Sequence, residues 1–223
     1  HYKYLMLRNT VLHCTKKGMV SVTLEELQKA VDLTLKLGGE FADARFETKK
    51  VRQIGVVNGS IRSFNSSRGS GVAIRVKSGG AWGLASTTTI DSESLKKTAK
   101  TAFELAKKSS SFSDKKIVLP KMTAYKKTLK ARVKIKHEDV DTEEKLGFVK
   151  ALDSAQAEAD KRIVNRTSNY GESVRNYELV NSFGCQLQWD EIRTAFLVSS
   201  VASEAGKQEF SFGREYGTVG YEL

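Results

Sequence analysis

The sequence is poor in the residues that mark a metal centre, a disulfide-rich fold or a membrane span. It has two cysteines, three histidines and one proline in 223 residues. The spacing of Cys14 and Cys185 is not that of a metal-binding or redox motif, so we expect two free thiols in a reducing cytoplasm. A disulfide between the two cysteines is the alternative that the sequence leaves open. The longest apolar runs are broken within a few residues, which excludes a transmembrane helix and predicts no membrane partner.

The three histidines form no zinc motif, and they stand at His1, His13 and His137. Zinc needs about three protein ligands that converge on one point. Glu138 follows His137, but Asp141 and Thr142 occupy the places where a second histidine would complete HExxH or HExxxH. We therefore predict no metal ligand and no catalytic residue in this chain. Outside residues 1–18, which we leave out of the fold prediction, a Ser–His mechanism would rest on His137 as its one candidate base.

The formal net charge of +11 raises the possibility of a nucleic-acid partner. The basic residues are dispersed along the chain, with local clusters at 115–116 and 121–136. No ladder of aromatic residues and no known nucleic-acid-binding motif accompanies them. We expect a solvated, lysine-rich surface and no specific nucleic-acid binding.

Residues 52–87 carry two successive β-hairpin signals. Val72, Ile74 and Val76 alternate with polar or small residues, which predicts a strand with one buried face. The pairs Asn58-Gly59 and Gly79-Gly80 supply the positive φ angles that two-residue hairpin turns require.

The remaining pattern predicts an α+β fold made of two modules of antiparallel β-meander, each with helices packed on one face. The first module spans 19–110: a capping box at Thr23 begins one helix, and Asp91 begins another. A linker at 111–127 contains Pro120. The second module spans 128–223, with a half-buried strand over 128–136 and a helix that begins after Asp141. Its meander is predicted over 162–170, 173–182, 185–203 and 207–214. The inward face of that helix is predicted to carry Phe148, Leu152, Ala155 and Ala159.

Six segments, in order, together resemble one known family. They read ADARFETKKVRQIGVVNGSIRSFNSS, GSGVAIRVKSGGAWGLAST, DSESLKKTAKTAFELAKKSS, VNSFGCQLQWDE, RTAFLVSSVASEAGKQEF and GTVGYEL. From about Thr23 to Leu223 the chain resembles the N-terminal and central regions of the TldD/PmbA family. Its AWG…AST motif resembles the TldD members more than the PmbA members. These proteins were first called modulators of DNA gyrase and are regarded as zinc metalloproteases. Residues 1–18 do not fit the family and are interpreted as an extension or a cloning remnant.

The resemblance implies a cytoplasmic, two-subunit protease around an enclosed chamber. Its zinc motif lies C-terminal to the GYEL-like segment, so we expect no cofactor in this chain and zinc only in a further C-terminal domain. The chain would then form the chamber wall and the interface with a family-related subunit, in proteolysis of unfolded peptides. It would be an N-terminal piece of a TldD-like protein or a short homologue. Two alternatives stay open: a non-catalytic partner or assembly module, and a basic nucleic-acid-associated factor.

Six residues are candidates for peptide or partner contact. Trp82 could serve as a ligand platform, but tryptophans that pack a hairpin are more common. Four polar or aromatic residues fall on strands predicted to be neighbours and could line a cleft. The candidates are Arg75, Trp82, Asn165, Arg166, Tyr170 and Tyr177.

Overall fold

The computed structural model describes residues 21–112, 116–120 and 122–223. The predicted extension at 1–18 therefore lies outside the described residues, as do 113–115 and 121 of the predicted linker. The helices are α1 (Leu24–Lys36), α2 (Ser92–Ser110) and α3 (Thr142–Ala159), with a short 3-10 turn at His137–Asp139. The strands are β1 (Phe41–Val57), β2 (Ser60–Ser78), β3 (Ala81–Thr87), β4 (Lys126–Leu129), β5 (Ile163–Asn181), β6 (Gln186–Glu204) and β7 (Lys207–Gly217).

All described strands belong to one seven-stranded sheet. Its order is β3-β2-β1-β5-β6, and β4 and β7 both pair with the outer edge of β6. The pairs are antiparallel except that the short β4 runs parallel to β6. The predicted α+β class, built from antiparallel meanders with helices on one face, is confirmed. The two meanders also join, because β1 pairs with β5 from Asp43↔Asn181 to Val57↔Thr167.

The first two helices begin where the sequence predicts. The Thr23 side chain accepts a hydrogen bond from Glu26 N at 3.1 Å, and the Glu26 carboxylate accepts one from Thr23 N at 2.8 Å. The Asp91 carboxylate accepts from Ser94 N at 2.7 Å. These caps satisfy backbone donors that have no partner within a helix. Both helices pack on the same side of β1 and β2, in a core that contains Leu27, Val31, Ala44, Phe46, Ile74, Val76, Ala99 and Ala102.

The predicted hairpin turns are present. Asn58 and Gly59 have φ values of 49° and 79°, and Gly79 and Gly80 have 57° and 80°. Each pair lies between two antiparallel strands, as the primed turn types require. These turns set the register in which Val72, Ile74 and Val76 are buried.

Two predicted elements in the second module are wrong. No turn occurs at Gly171-Glu172, because β5 continues through them and Gly171 pairs with Gln53 on one side and Ala195 on the other. The strand predicted over 128–136 is reduced to the exposed Lys126–Leu129. Its later backbone amides bond instead to side chains, with Lys134 N and Ile135 N each 3.0 Å from the Glu222 carboxylate.

The predicted inward face of α3 is also wrong. Phe148 is 43% exposed, and Ala155 and Ala159 are exposed. The residues that face the sheet are instead Lys145, Val149 and Asp153, all at most 2% exposed. Two of these three are charged, and each has an oppositely charged partner on β5, which makes this orientation of the helix favourable.

All three helices lie on one side of the sheet. We call this side the helix face: it carries the even-numbered residues of β1, among them Ala44 and Phe46 under α1 and Ile54 and Val56 under α3. No helix of the described residues is long and apolar enough to cross a membrane.

Candidate functional site

The opposite side of the sheet, which we call the open face, carries no helix of the described residues. Register partners in an antiparallel sheet project to the same side. One row across the open face runs Ser86↔Ala73↔Arg45↔Leu179↔Leu187, through β3, β2, β1, β5 and β6. This face is therefore an uncovered surface of the sheet on which another molecule could lie.

A groove of about 620 Å³ lies on the open face. Its lining comes from Arg45, Glu47 and Lys49 of β1, from 69–73 of β2 and from 86–88 at the end of β3. Glycine at position 69 leaves the backbone uncovered, because a Cβ there would meet no atom within 4 Å. The groove thus combines the edge of β2 at 69–71, beyond the point where β3 pairs with it, with charges of both signs. An extended chain could bind there through backbone and side chain alike.

Arg75 and Trp82 lie on the same face, beyond the groove. The Arg75 guanidinium stands 4.6 Å from the centre of the Trp82 ring, and its Nη2 is 2.6 Å from Asp43 Oδ2. Burial raises the pKa of Asp43, and the Arg75 guanidinium opposes that rise. Trp82 also packs edge-on against Phe41 at 5.8 Å, so at least part of its role is to cover the sheet.

Tyr177 is the third predicted residue on the open face, and it pairs with Glu47 of the groove. Its ring stacks on Trp189 with centroids 4.7 Å apart and planes 16° apart. Arg175 Nη1 donates to the Tyr177 hydroxyl at 3.4 Å and lies 3.7 Å from Glu47 Oε1. An aromatic and ionic patch therefore continues from the groove toward β6.

The other three predicted residues do not join this surface. Arg166 and Tyr170 project to the helix face, where the Arg166 guanidinium lies 3.3 Å from Asp153 Oδ2. Asn165 accepts a hydrogen bond from Asn58 Nδ2 at 3.2 Å, beside the β1–β2 turn. The six residues therefore fall in three places, and their contact with peptide or partner stays a prediction.

A buried polar cluster under α3 was not predicted from the sequence. We call it the Lys145 cluster, and it consists of His137, Lys145, Tyr170, Glu172 and Thr194. Lys145 Nζ donates to Glu172 Oε2 at 2.7 Å and to His137 O at 2.6 Å. The Tyr170 hydroxyl donates to the same Glu172 oxygen at 2.5 Å, and burial raises its pKa.

The Lys145 cluster connects distant parts of the chain. Thr194 Oγ1 lies 3.2 Å from His137 Nε2 and 2.5 Å from Gly220 O, and the Tyr221 ring lies 5.8 Å from Lys145 Nζ. The cluster thus holds α3, β5, β6 and the C-terminal segment together, as a satisfied buried network does. The sequence carries no clear signal for its β5 part, because 168–172 read SNYGE and show no alternation of polar and apolar residues.

No group of three or more His, Cys, Asp or Glu side chains that could hold a metal ion occurs within the described ranges. The residues of the Lys145 cluster bond to one another and include one histidine and one carboxylate. They do not fit a zinc site, which needs about three converging ligands.

His137 should make stability depend on pH. Burial lowers the pKa of His137 despite the nearby Glu172 carboxylate, so the folded protein resists protonation there. The other charged or titratable groups around it are Lys145, Tyr170, Glu172 and Glu222. The unfolded chain takes up a proton below about pH 6.5, whereas the folded chain does so only at lower pH. The free energy of unfolding should therefore fall as pH drops through that window.

The measurement is the urea midpoint of wild type and His137→Gln at about pH 7.5 and about pH 5.5. We expect the midpoint of the wild type to fall more than that of the variant. Equal falls in the two proteins would show that His137 does not carry this dependence.

The comparison with known proteins identifies the family. Residues 42–106 match PmbA/TldA metallopeptidase domain 1, and residues 135–223 match the PmbA/TldA metallopeptidase central domain. The chain belongs to the PmbA/TldD family. The resemblance described from the sequence is thereby confirmed, for the N-terminal and central regions that it covered.

Two archaeal metalloproteases are similar in sequence. One, from Methanocaldococcus jannaschii, is 27% identical over 201 residues, which are 90% of this chain and 43% of that protein. The other, from Methanothermobacter thermautotrophicus, is 27% identical over 184 residues, 82% of this chain and 39% of its own length. The chain thus spans less than half the length of these relatives.

Solved structures share the fold at low sequence identity. A protein from Bacteroides thetaiotaomicron, described as a proposed modulator of DNA gyrase, has a TM-score of 0.75 at 18% identity. The match covers 89% of this chain and 46% of that one. TldE from Thermococcus kodakarensis has a TM-score of 0.67 at 16% identity. That match covers 86% of this chain and 42% of the TldE chain.

Proposed function

We propose that this chain forms part of the wall of a TldD-like metalloprotease and that its open face contacts unfolded peptides. A family-related subunit would complete the assembly, and the catalytic zinc would be held by residues outside 1–223. The observation that carries the proposal is the open face itself, with its groove of about 620 Å³. At 69–71 the backbone of β2 extends past the end of β3, which pairs with β2 only from Val72↔Thr87 to Ser78↔Ala81. An extended peptide of almost any sequence could add to that edge, because backbone hydrogen bonds carry little sequence preference.

A non-catalytic assembly module within the same complex is the alternative closest to this proposal. A nucleic-acid-associated factor has less support, because three arginines of the open face already have carboxylate neighbours. Arg175 lies 3.7 Å from Glu47, Arg75 2.6 Å from Asp43, and Arg193 3.0 Å from Glu191. Each of these ion pairs reduces the positive charge that the arginine presents to a phosphate.

Peptide binding to a groove-filled variant tests the proposal. Gly69→Ile places a side chain in the groove, and the open space above position 69 lets the fold accommodate it. We expect the affinity for a fluorescently labelled, unfolded casein peptide, measured by anisotropy, to fall by about tenfold, a loss of about 1.4 kcal/mol.

Gly171→Ile is the matched control. Position 171 is also a strand glycine on the open face, and a Cβ there would likewise meet no atom within 4 Å, but it lies outside the groove. We expect this variant to bind as the wild type does. Absence of binding by the wild type, or the same affinity in both variants, would contradict the proposal.

A further inference from the structure

Lys49 differs from the other two charged residues of the groove in having no carboxylate beside it. Glu47 is already opposed by a cation, because Arg175 Nη1 lies 3.7 Å from Glu47 Oε1. The Arg45 guanidinium acts on Asp43, where it opposes the rise in the pKa of that carboxyl. Lys49 lines the same groove, and it forms no ion pair with a carboxylate of the described residues. Its charge is therefore available to a bound molecule.

The residue directly opposite Lys49 on β5 carries a charge of the same sign. The register pairs Lys49 with Arg175, and like charges that are directly opposite each other destabilise a sheet. Lys49 is exposed, so its ammonium group can turn away from Arg175 and toward β2. A negative group on the β2 side of Lys49 would relieve the repulsion and gain an attraction.

The β2 side of Lys49 has room for such a group. The partner of Lys49 on β2 is Gly69, and a Cβ there would meet no atom within 4 Å. Strand β3 does not pair with β2 at this position, because its last pair is Val72↔Thr87. A peptide added to β2 opposite Gly69 would lie two strand separations, about 10 Å, from β1. A lysine and a glutamate side chain that extend toward each other over the glycine can span that distance.

We propose that Lys49 selects an acidic side chain in the peptide, at the residue that pairs opposite Gly69. This inference deepens the proposed function and rests on it for the binding of a peptide along 69–71 of β2. The backbone hydrogen bonds hold an extended peptide of almost any sequence, and Lys49 adds a preference at one position. Lys49 is thus a specificity-determining residue of the groove, and peptides with acidic residues are the favoured class.

Three peptides that differ in one residue test the preference. They share a neutral, unfolded sequence with a fluorescent label, and the central residue is glutamate, glutamine or lysine. We expect the glutamate peptide to bind the wild type about tenfold more tightly than the lysine peptide, as measured by anisotropy. The glutamine peptide should lie between them, because one exposed ion pair contributes modestly and one like-charge contact costs a similar amount.

A charge reversal shows whether Lys49 is the residue that carries the preference. In Lys49→Glu the lysine peptide should bind at least as tightly as the glutamate peptide. The reversal is expected to be smaller than the original preference, because Arg175 would partly neutralise the new carboxylate. Lys50→Glu is the matched control: it makes the same change in net charge at the next residue, which projects to the helix face. This variant should keep the preference of about tenfold.

Equal binding of the three peptides by the wild type would overturn this inference. So would a loss of the preference in Lys50→Glu as large as that in Lys49→Glu, since the cause would then be net charge. A single-stranded oligonucleotide that binds more tightly than the glutamate peptide, and loses affinity in Lys49→Glu, would assign Lys49 to a phosphate instead. None of these results changes the effect of Gly69→Ile on casein-peptide binding, whereas a wild type that binds no peptide contradicts both proposals.

Discussion

Replacing Lys145 with methionine is expected to lower the free energy of unfolding by about 3–5 kcal/mol. The Lys145 side chain is fully buried, and its ammonium group donates to Glu172 Oε2 and to the His137 carbonyl. Methionine fills a similar volume but leaves the buried Glu172 carboxylate with only the Arg52 guanidinium, whose Nη1 lies 3.7 Å from Glu172 Oε1. The cost arises mainly from this poorly compensated buried charge, and only in part from the lost hydrogen bonds.

Urea unfolding followed by circular dichroism measures this effect. Lys150→Met is the matched control, because position 150 is on the same helix but exposed, and it should unfold close to the wild type. The double variant K145M/E172Q also removes the Glu172 charge and should recover part of the loss. If K145M and K150M unfolded at the same urea concentration, the Lys145 cluster would not stabilise the fold.

Replacing Gly83 with alanine is expected to destabilise the protein by about 3 kcal/mol. A Cβ at position 83 would overlap Ala102 O and Ala106 N, both backbone atoms of α2, and would lie 3.0 Å from Ala106 Cα. Backbone atoms in a helix cannot rotate away as a side-chain end can, so α2 would have to move off β3. That movement would open the contact between α2 and the strands of the first meander.

Gly171→Ala is the control for this substitution, because its Cβ would meet no atom within 4 Å. Both changes add one methyl group to a strand glycine, so they differ mainly in the clash. We expect a clear fall in the urea midpoint for Gly83→Ala and little change for Gly171→Ala. Equal midpoints would show that the packing of α2 on β3 tolerates the displacement.

Local features of the fold could be predicted because their causes lie within a few residues. The cap at Thr23 needs only Glu26, three residues later, and the turn at Asn58-Gly59 needs only two residues that tolerate positive φ. The pairing of β1 with β5, which joins the two meanders, could not be predicted from nearby residues. It depends on contacts more than 100 residues apart in sequence, such as Val57↔Thr167.

The face of α3 was mispredicted for a related reason. An apolar stripe through Phe148 and Leu152 was the obvious choice, since apolar residues usually face the core. The helix instead buries Lys145 and Asp153, which is favourable only because Glu172 and Arg166 lie opposite on β5. The sequence of the helix alone does not show which residues of β5 would pair with Lys145 and Asp153.

The candidate site was predicted in part. The sequence singled out Arg75, Trp82 and Tyr177, and all three project to the open face beside or beyond the groove. The groove itself was missed, because Gly69 lies within the segment 52–87 that was assigned to two β-hairpins. Its significance comes from the empty space above it, which is a property of the assembled sheet.

Photo-crosslinking of a bound peptide tests the central claim most directly. An unfolded peptide that carries a benzophenone group would be irradiated with the protein, and the attachment sites would be located by mass spectrometry. The account predicts crosslinks on the open face around the groove, at residues such as Glu47, Lys49 and Ser86. Crosslinks confined to α1, α2 or α3 on the helix face, or none at all, would contradict it.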